Sequence, residues 1–262
     1  MELSKRLREI VALVPQGIIV ADIGTDHALL PIYLIEKGMA SKVIASDINR
    51  GPFDAARQAV MAKGLQNKID VRMGDGLDVL SPGEAQVVVI AGMGGNTIRE
   101  VLATSFETVS LFERLILQPM NDAYDLRCWL VQNGWCLVDE KLVAEGERLY
   151  VIIVAEPCGT RKLCEIQDFA SNATGCSLTA SAGVDEASLY SQLTSELLLE
   201  IGPCLLKKND PNLSLLLQKM LQDYMMILKG LAKSQKPESK AKAQSIENKL
   251  SAIREVLENA CS

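Results

Sequence analysis

Long apolar runs are missing from this sequence: no stretch reaches the ~18 uninterrupted apolar residues of a membrane-spanning helix, so no membrane partner is expected. Aromatic residues make up only 4% of the 262 residues, against 48% for the hydrophobic set. That balance fits Ala/Val/Ile/Leu packing around a parallel sheet better than an aromatic-rich β-sandwich. The seven cysteines (Cys128, Cys136, Cys158, Cys164, Cys176, Cys204 and Cys261) contain no CxxC pair, which argues against a zinc site and a disulfide framework. No metal is predicted, and the rule for cytosolic chains predicts reduced thiols throughout. The opening MELSKRLREIVALV reads as a charged amphipathic helix rather than a signal peptide, so a soluble cytoplasmic protein is expected. A net charge of −6 argues at first sight against nucleic acid. Its distribution weakens that objection, because Lys207 to Lys249 holds nine lysines against four acids.

The first 157 residues alternate short apolar runs with helical patterns, the signature of βαβ units. Strands are predicted at IIVADIG (18–24), SKVIASDIN (41–49), IDVRMGDGL (69–77), AQVVVIAGMGG (85–95) and RLILQP (114–119). Helices are predicted over 30–38, 51–65 and 123–134, with Gly38 and Gly64 as stops. Two further strands within 135–157 flank AEGE, too close together for a crossover helix, so an antiparallel pair at one edge is expected. From 158 to 188 the sequence is small, polar and aperiodic, reading as a linker or insertion. The remainder, 189–262, reads as helical: one helix near 189–201, then two with heptad-like spacing. Their stripes are Leu217, Leu221, Tyr224, Leu228 and Leu231, and Ile246, Leu250, Ile253 and Leu257. SQKPESK interrupts them, so an antiparallel coiled-coil hairpin is predicted.

Ligands of open parallel sheets bind beyond the carboxyl ends of the strands. The candidate residues there are Asp22, Gly24, Thr25, Asp26 and His27; Asp47, Ile48 and Asn49; Gly74, Asp75 and Gly76; Ala91, Gly92 and Met93; and Gln118 and Asn121. The first loop, GTDHA, lacks GxGxxG. A pyrophosphate wants glycines and no negative charge there, so Asp26 disfavours it and suits a cationic ligand. Asp47 has the position of an acid that accepts ribose hydroxyls; Asp75, between glycines, could accept from an adenine amino group. Each acid alone would pass for a turn or helix cap. Together, in this order, with the terminal antiparallel pair, they describe a class I (Rossmann-like) S-adenosylmethionine-dependent methyltransferase: an α/β fold with a mostly parallel sheet and an antiparallel edge strand.

VADIGTDHALLP, IASDIN, GDGLDVL, VIAGMGG, LILQP and LRCWLVQNGWCLVDEKLVAEGERLY resemble the bacterial tRNA (adenine-22-N1)-methyltransferases of the TrmK type. The resemblance runs over residues 1–157 and resumes at IGPCLLKK and the helical hairpin. The pattern departs at Met120, where the family usually has asparagine directly after Gln-Pro. The resemblance implies methylation of adenine N1 in tRNA with S-adenosyl-L-methionine as donor. Asp26 would then stabilise the charge developing on the base. His27 would either shuttle a proton or merely brace the loop, and Gln118 and Asn121 would read the base edge. Lys207, Lys208, Lys219, Lys229 and Lys233 would hold RNA phosphates or form a solvated helix face, and the hairpin could mediate self-association. Two alternatives stand beside this: a class I methyltransferase acting on a protein or small molecule, and a non-catalytic adapter binding a partner through its helices.

Overall fold

The computed structural model describes residues 3–159, 193–233 and 236–260. Seven strands form one sheet: β1 (Ile18–Ile23), β2 (Ala40–Asp47), β3 (Ile69–Met73), β4 (Val87–Met93), β5 (Arg114–Pro119), β6 (Trp135–Glu145) and β7 (Arg148–Pro157). Their order is β3-β2-β1-β4-β5-β7-β6. The first five are mutually parallel, and β7 runs antiparallel both to β5 and to β6. The expected antiparallel pair is therefore present, with the later strand of the pair inserted next to β5. Central strands read as continuous β-branched runs because both faces are covered; Val87 to Ile90 are all buried.

Around the sheet lie α1 (Lys5–Ala12), α2 (Leu29–Glu36), α3 (Arg50–Ala62), α4 (Gly95–Thr104), the short α5 (Phe106–Val109) and α6 (Ala123–Gln132). Helix α1 begins where the Ser4 hydroxyl accepts from the Leu7 N–H at 3.3 Å. It buries Ile10 and Val11, and its polar side is tied to the β6 end. Lys5 N–H donates to Glu145 Oε1 at 2.7 Å, Lys5 Nζ donates to the Ala144 carbonyl, and Lys141 pairs with Glu9. Between α6 and β6, Arg127 and Glu140 form an ion pair at 2.6 Å with both side chains almost fully buried.

One expectation is corrected. Cys136 and Cys158 are not thiols but form a disulfide, with Cα atoms 5.1 Å apart. The β6–β7 register sets Trp135 opposite Pro157 and Cys136 opposite Glu156. That register carries Cys158, just past the strand end, within bonding reach of Cys136, a proximity that spacing 22 residues along the chain conceals. Cys128 and Cys204 stay outside any disulfide; Cys164, Cys176 and Cys261 lie outside the described residues, as does the predicted linker beyond residue 159.

The chain divides into two compact units, Met1–Gln167 and Asp168–Ser262. In the second, α7 (Ser195–Ile201) and α8 (Pro203–Lys207) precede α9 (Leu213–Leu231) and α10 (Pro237–Ala260). Leu228 and Leu231 near the end of α9 line one groove with Ser239 and Ala243 near the start of α10, as in an antiparallel pair. The predicted stripes face inward: Leu217, Ile246, Leu250 and Ile253 are buried, and Leu221, Tyr224, Leu228, Leu231 and Leu257 half-buried. The part of the helix predicted near 189–201 that precedes residue 193 lies outside the described residues. Among the described residues, no helix is long and apolar enough to cross a membrane.

Candidate active site

The sheet order reverses direction between β1 and β4, so a crevice opens beyond their carboxyl ends. Parallel register aligns these ends: Ile23 stands beside Ser46 and Ile90, Asp47 beside Met73, and Ala91 beside Gln118. The residues expected at five separate strand ends are thereby brought to one edge of the sheet.

At the end of β1, the N–H groups of Gly24 and Thr25 both donate to the Ser46 carbonyl at 2.8 Å. This bend needs φ +78° at Gly24, and a Cβ there would stand 2.2 Å from Met93 Cε. His27 (φ 54°) and Ala28 (φ 52°) are consecutive left-handed residues without being glycine. Such conformations cost of order 1–3 kcal/mol each and persist where the surroundings enforce them. The loop ends as Asp26 and His27 come within 3.4 Å of each other, both side chains mostly in solvent.

Asp22 behaves differently. It is 6% exposed, and burial pushes its carboxyl up to about 6; the Thr25 hydroxyl pulls the other way, and the charge of Asp47 adds to the rise. Ser46 Oγ at the end of β2 is a buried hydroxyl without a hydrogen-bond partner among the described residues. A buried acid is costly unless a ligand compensates it. Asp47 accepts the Asn49 N–H through Oδ1 at 2.7 Å, which leaves Oδ2 for another donor. Ile48 is exposed, as is Asp75, between Gly74 and Gly76; a Cβ on Gly74 would stand 2.5 Å from Val79 Cγ1. This acid-lined, glycine-cleared edge fits a nucleoside carrying a cationic sulfonium and amino group.

On the β4–β5 side, Ala91 and Met93 are half-buried and Gly92 is exposed. The Gly95 N–H donates to the Asn121 carbonyl and, at 3.3 Å, to Asn121 Oδ1. The exposed Asn121 thus has its amide oxygen held and its Nδ2 unengaged. Asn96 Nδ2 donates to Asp122 Oδ2 at 2.9 Å, bracing the same turn. Gln118 is fully buried. Its Nε2 donates to the Pro119 carbonyl at 2.8 Å and contacts Met120 Sδ, and its Oε1 accepts from Arg6 Nη1. The amide expected to read a base is therefore engaged inside the protein.

Arg6, Ser46, Asn96, Asp122 and Tyr150 were not among the residues singled out from sequence. Ser46, Asn96 and Asp122 adjoin strand-end motifs, so a wider window would have included them. Arg6 gives no local signal, since a basic residue in an amphipathic helix looks like a solvated face. Lys207, Lys208, Lys219, Lys229 and Lys233 are all exposed, on the second unit. Among the described residues, no group of three His, Cys, Asp or Glu side chains is placed to hold a metal.

A family model described as a methyltransferase domain matches residues 3–153. The chain is 43% identical over 156 residues to the Bacillus subtilis (strain 168) enzyme named tRNA (adenine(22)-N(1))-methyltransferase; the match spans 60% of this chain and 66% of that enzyme. The crystal structure of the B. subtilis m1A22 tRNA methyltransferase TrmK superposes with a TM-score of 0.79 and 31% identity, covering 98% of this chain and 99% of that one. A Streptococcus pneumoniae protein, solved in complex with S-adenosyl-L-methionine, superposes with a TM-score of 0.73 and 32% identity, covering 98% and 100%.

Proposed function

This chain belongs to the TrmK-type family of bacterial tRNA (adenine-22-N1)-methyltransferases, and from that premise we propose that it methylates N1 of adenine-22 in tRNA. The observation that carries the reading is the similarity to TrmK over nearly the whole of both chains, joined to an acid-lined edge suited to the donor. The methyl donor is S-adenosyl-L-methionine, which supplies an electrophilic methyl group on a sulfonium. Asp22, Gly24 and Thr25 would hold its amino-acid end, Asp47 with Ile48 and Asn49 the ribose, and Gly74, Asp75 and Gly76 the adenine. Ala91, Gly92 and Met93 would border the reacting centre.

Adenine N1 carries an unshared pair in the neutral base, so no general base is needed to create the nucleophile. The protein's work is alignment, for which effective molarities correspond to about 7–11 kcal/mol of barrier. Attack leaves positive charge on the ring, and Asp26 would offset it. His27, within 3.4 Å of Asp26, either takes a proton from the adenine amino group or orients that carboxylate. Asn121 offers its unengaged amide N–H groups to the base. An adenine within folded tRNA must be unstacked before N1 is reached. We assign that task to both units: the first holds the flipped base, and the exposed lysines of α8, α9 and their flanks engage phosphates.

A tRNA substrate fits a cytoplasmic protein. Self-association through the second unit is a further part of this reading, supported by the exposed Leu215, Met225, Met226 and Ile227 on α9. The test is to incubate unmodified tRNA with the protein and labelled donor, then map the modified nucleotide. N1-methyladenine at position 22 is expected. Label in protein extract, or at another atom or position, would overturn the assignment.

A further inference from the structure

Helix α1 carries Arg6 to the β4–β5 end of the crevice. Its Nη1 donates to Gln118 Oε1 across 112 residues of chain. The same nitrogen stands 3.4 Å from where a Cβ on Gly92 would be, and the guanidinium lies 5.2 Å from the Tyr150 ring centroid. Elsewhere on α1, Glu9 pairs with Lys141 and Lys5 Nζ donates to the Ala144 carbonyl. Arg6 is half-buried, yet no carboxylate among the described residues pairs with it. Withdrawing a cation from water without an anion is unfavourable, and a guanidinium held by one nitrogen keeps its remaining N–H groups in a fork suited to paired oxygens.

The acids suited to the donor stand at the ends of β1, β2 and β3, whereas Arg6 stands at the ends of β4 and β5. Arg6 therefore lies across the crevice from the acids suited to the donor. We propose that Arg6 binds a phosphodiester of the RNA substrate adjacent to the target adenine, while its inner nitrogen fixes the orientation of the buried Gln118 amide. This rests on the RNA methyltransferase reading above. The contacts with the Tyr150 ring and with Gln118 restrain the long side chain before RNA arrives.

The experiment compares the full-length wild type with Arg6→Met, Arg6→Lys and Arg6→Gln, using unmodified tRNA and S-adenosylmethionine. Measured are KM and kcat for tRNA, donor affinity by calorimetry, and the salt dependence of tRNA binding. Arg6→Met is expected to raise KM for tRNA roughly ten- to a hundredfold, to leave donor affinity unchanged, and to make the log–log salt slope shallower by about 0.7–0.9. Arg6→Lys keeps the charge and should retain the wild-type slope with a smaller rise in KM. Arg6→Gln, uncharged but able to donate to Gln118, should match Arg6→Met and substitutes for it if methionine prevents folding. Unchanged KM and slope would overturn the proposal. Loss of donor affinity with KM for tRNA intact would overturn it too, by placing a donor carboxylate on Arg6. A wild type that leaves tRNA unmethylated overturns the RNA reading itself, and this inference with it.

Discussion

Replacing Asp22 with asparagine keeps the shape of a 6% exposed side chain and removes its charge. Burial raises this carboxyl from 3.8 to about 6, a difference of about 2 units, or about 3 kcal/mol at 1.36 kcal/mol per unit. The sign follows from proton linkage. The folded protein binds the Asp22 proton more tightly than the unfolded chain, so stability is lost as pH rises from about 3.8 to about 6 and stays reduced above that window. Asp22→Asn should therefore be more stable than wild type by up to about 3 kcal/mol at pH 8, raising the midpoint of the first unit by roughly 6–12 °C. At pH 4 the gain should shrink below about 1 kcal/mol. Urea titrations at the two pH values, with calorimetry of S-adenosylmethionine in parallel, provide the assay. Donor affinity should weaken in the wild type as pH falls through about 6, where the ionised carboxylate that suits a cationic ligand disappears, and should be weak and flat in the variant. A variant destabilised at pH 8, or one whose stability difference ignores pH, would show that burial of the Asp22 charge carries no such cost.

Asp26→Asn should lower kcat roughly a hundred- to a thousandfold with donor affinity retained, if the carboxylate offsets charge on the methylated base; calorimetry showing lost donor binding would move Asp26 to the donor side. Gly95→Ala should cost about 1–3 kcal/mol, because its Cβ would meet the Asp122 and Asn121 carbonyl oxygens at 2.5 and 2.6 Å and backbone cannot rotate aside; thermal melts check it. Arg127→Met should cost about 3–5 kcal/mol by leaving Glu140 charged and buried, and adding Glu140→Leu should recover much of that loss in denaturant midpoint.

Much of the crevice was legible because its chemistry is written at strand ends. Asp22, Asp47 and Asp75 each follow or close an apolar β run, and a parallel sheet delivers every such end to one edge whatever the lateral order. The charge of the GTDHA loop is the local signal from which pyrophosphate is expected to be disfavoured there. Gln118 shows the limit: it lies within β5 near its carboxyl end, and whether its amide faces a ligand or the protein depended on Arg6, a residue of an element that sequence reading treated only as a charged helix.

The alternation of strands and helices, the antiparallel ending and the inward stripes of α9 and α10 follow from local pattern, because period and turn residues act over a few neighbours. Long-range packing settles that β7 rather than β6 lies beside β5, that Cys136 meets Cys158, that Asp22 is buried enough for its carboxyl to be pushed up to about 6, and that Arg6 reaches the crevice. Each of these depends on lateral pairing, register or desolvation by residues far along the chain. Local pattern carries no record of such distant contacts, because the same side chain costs nothing in water and several kcal/mol where packing encloses it.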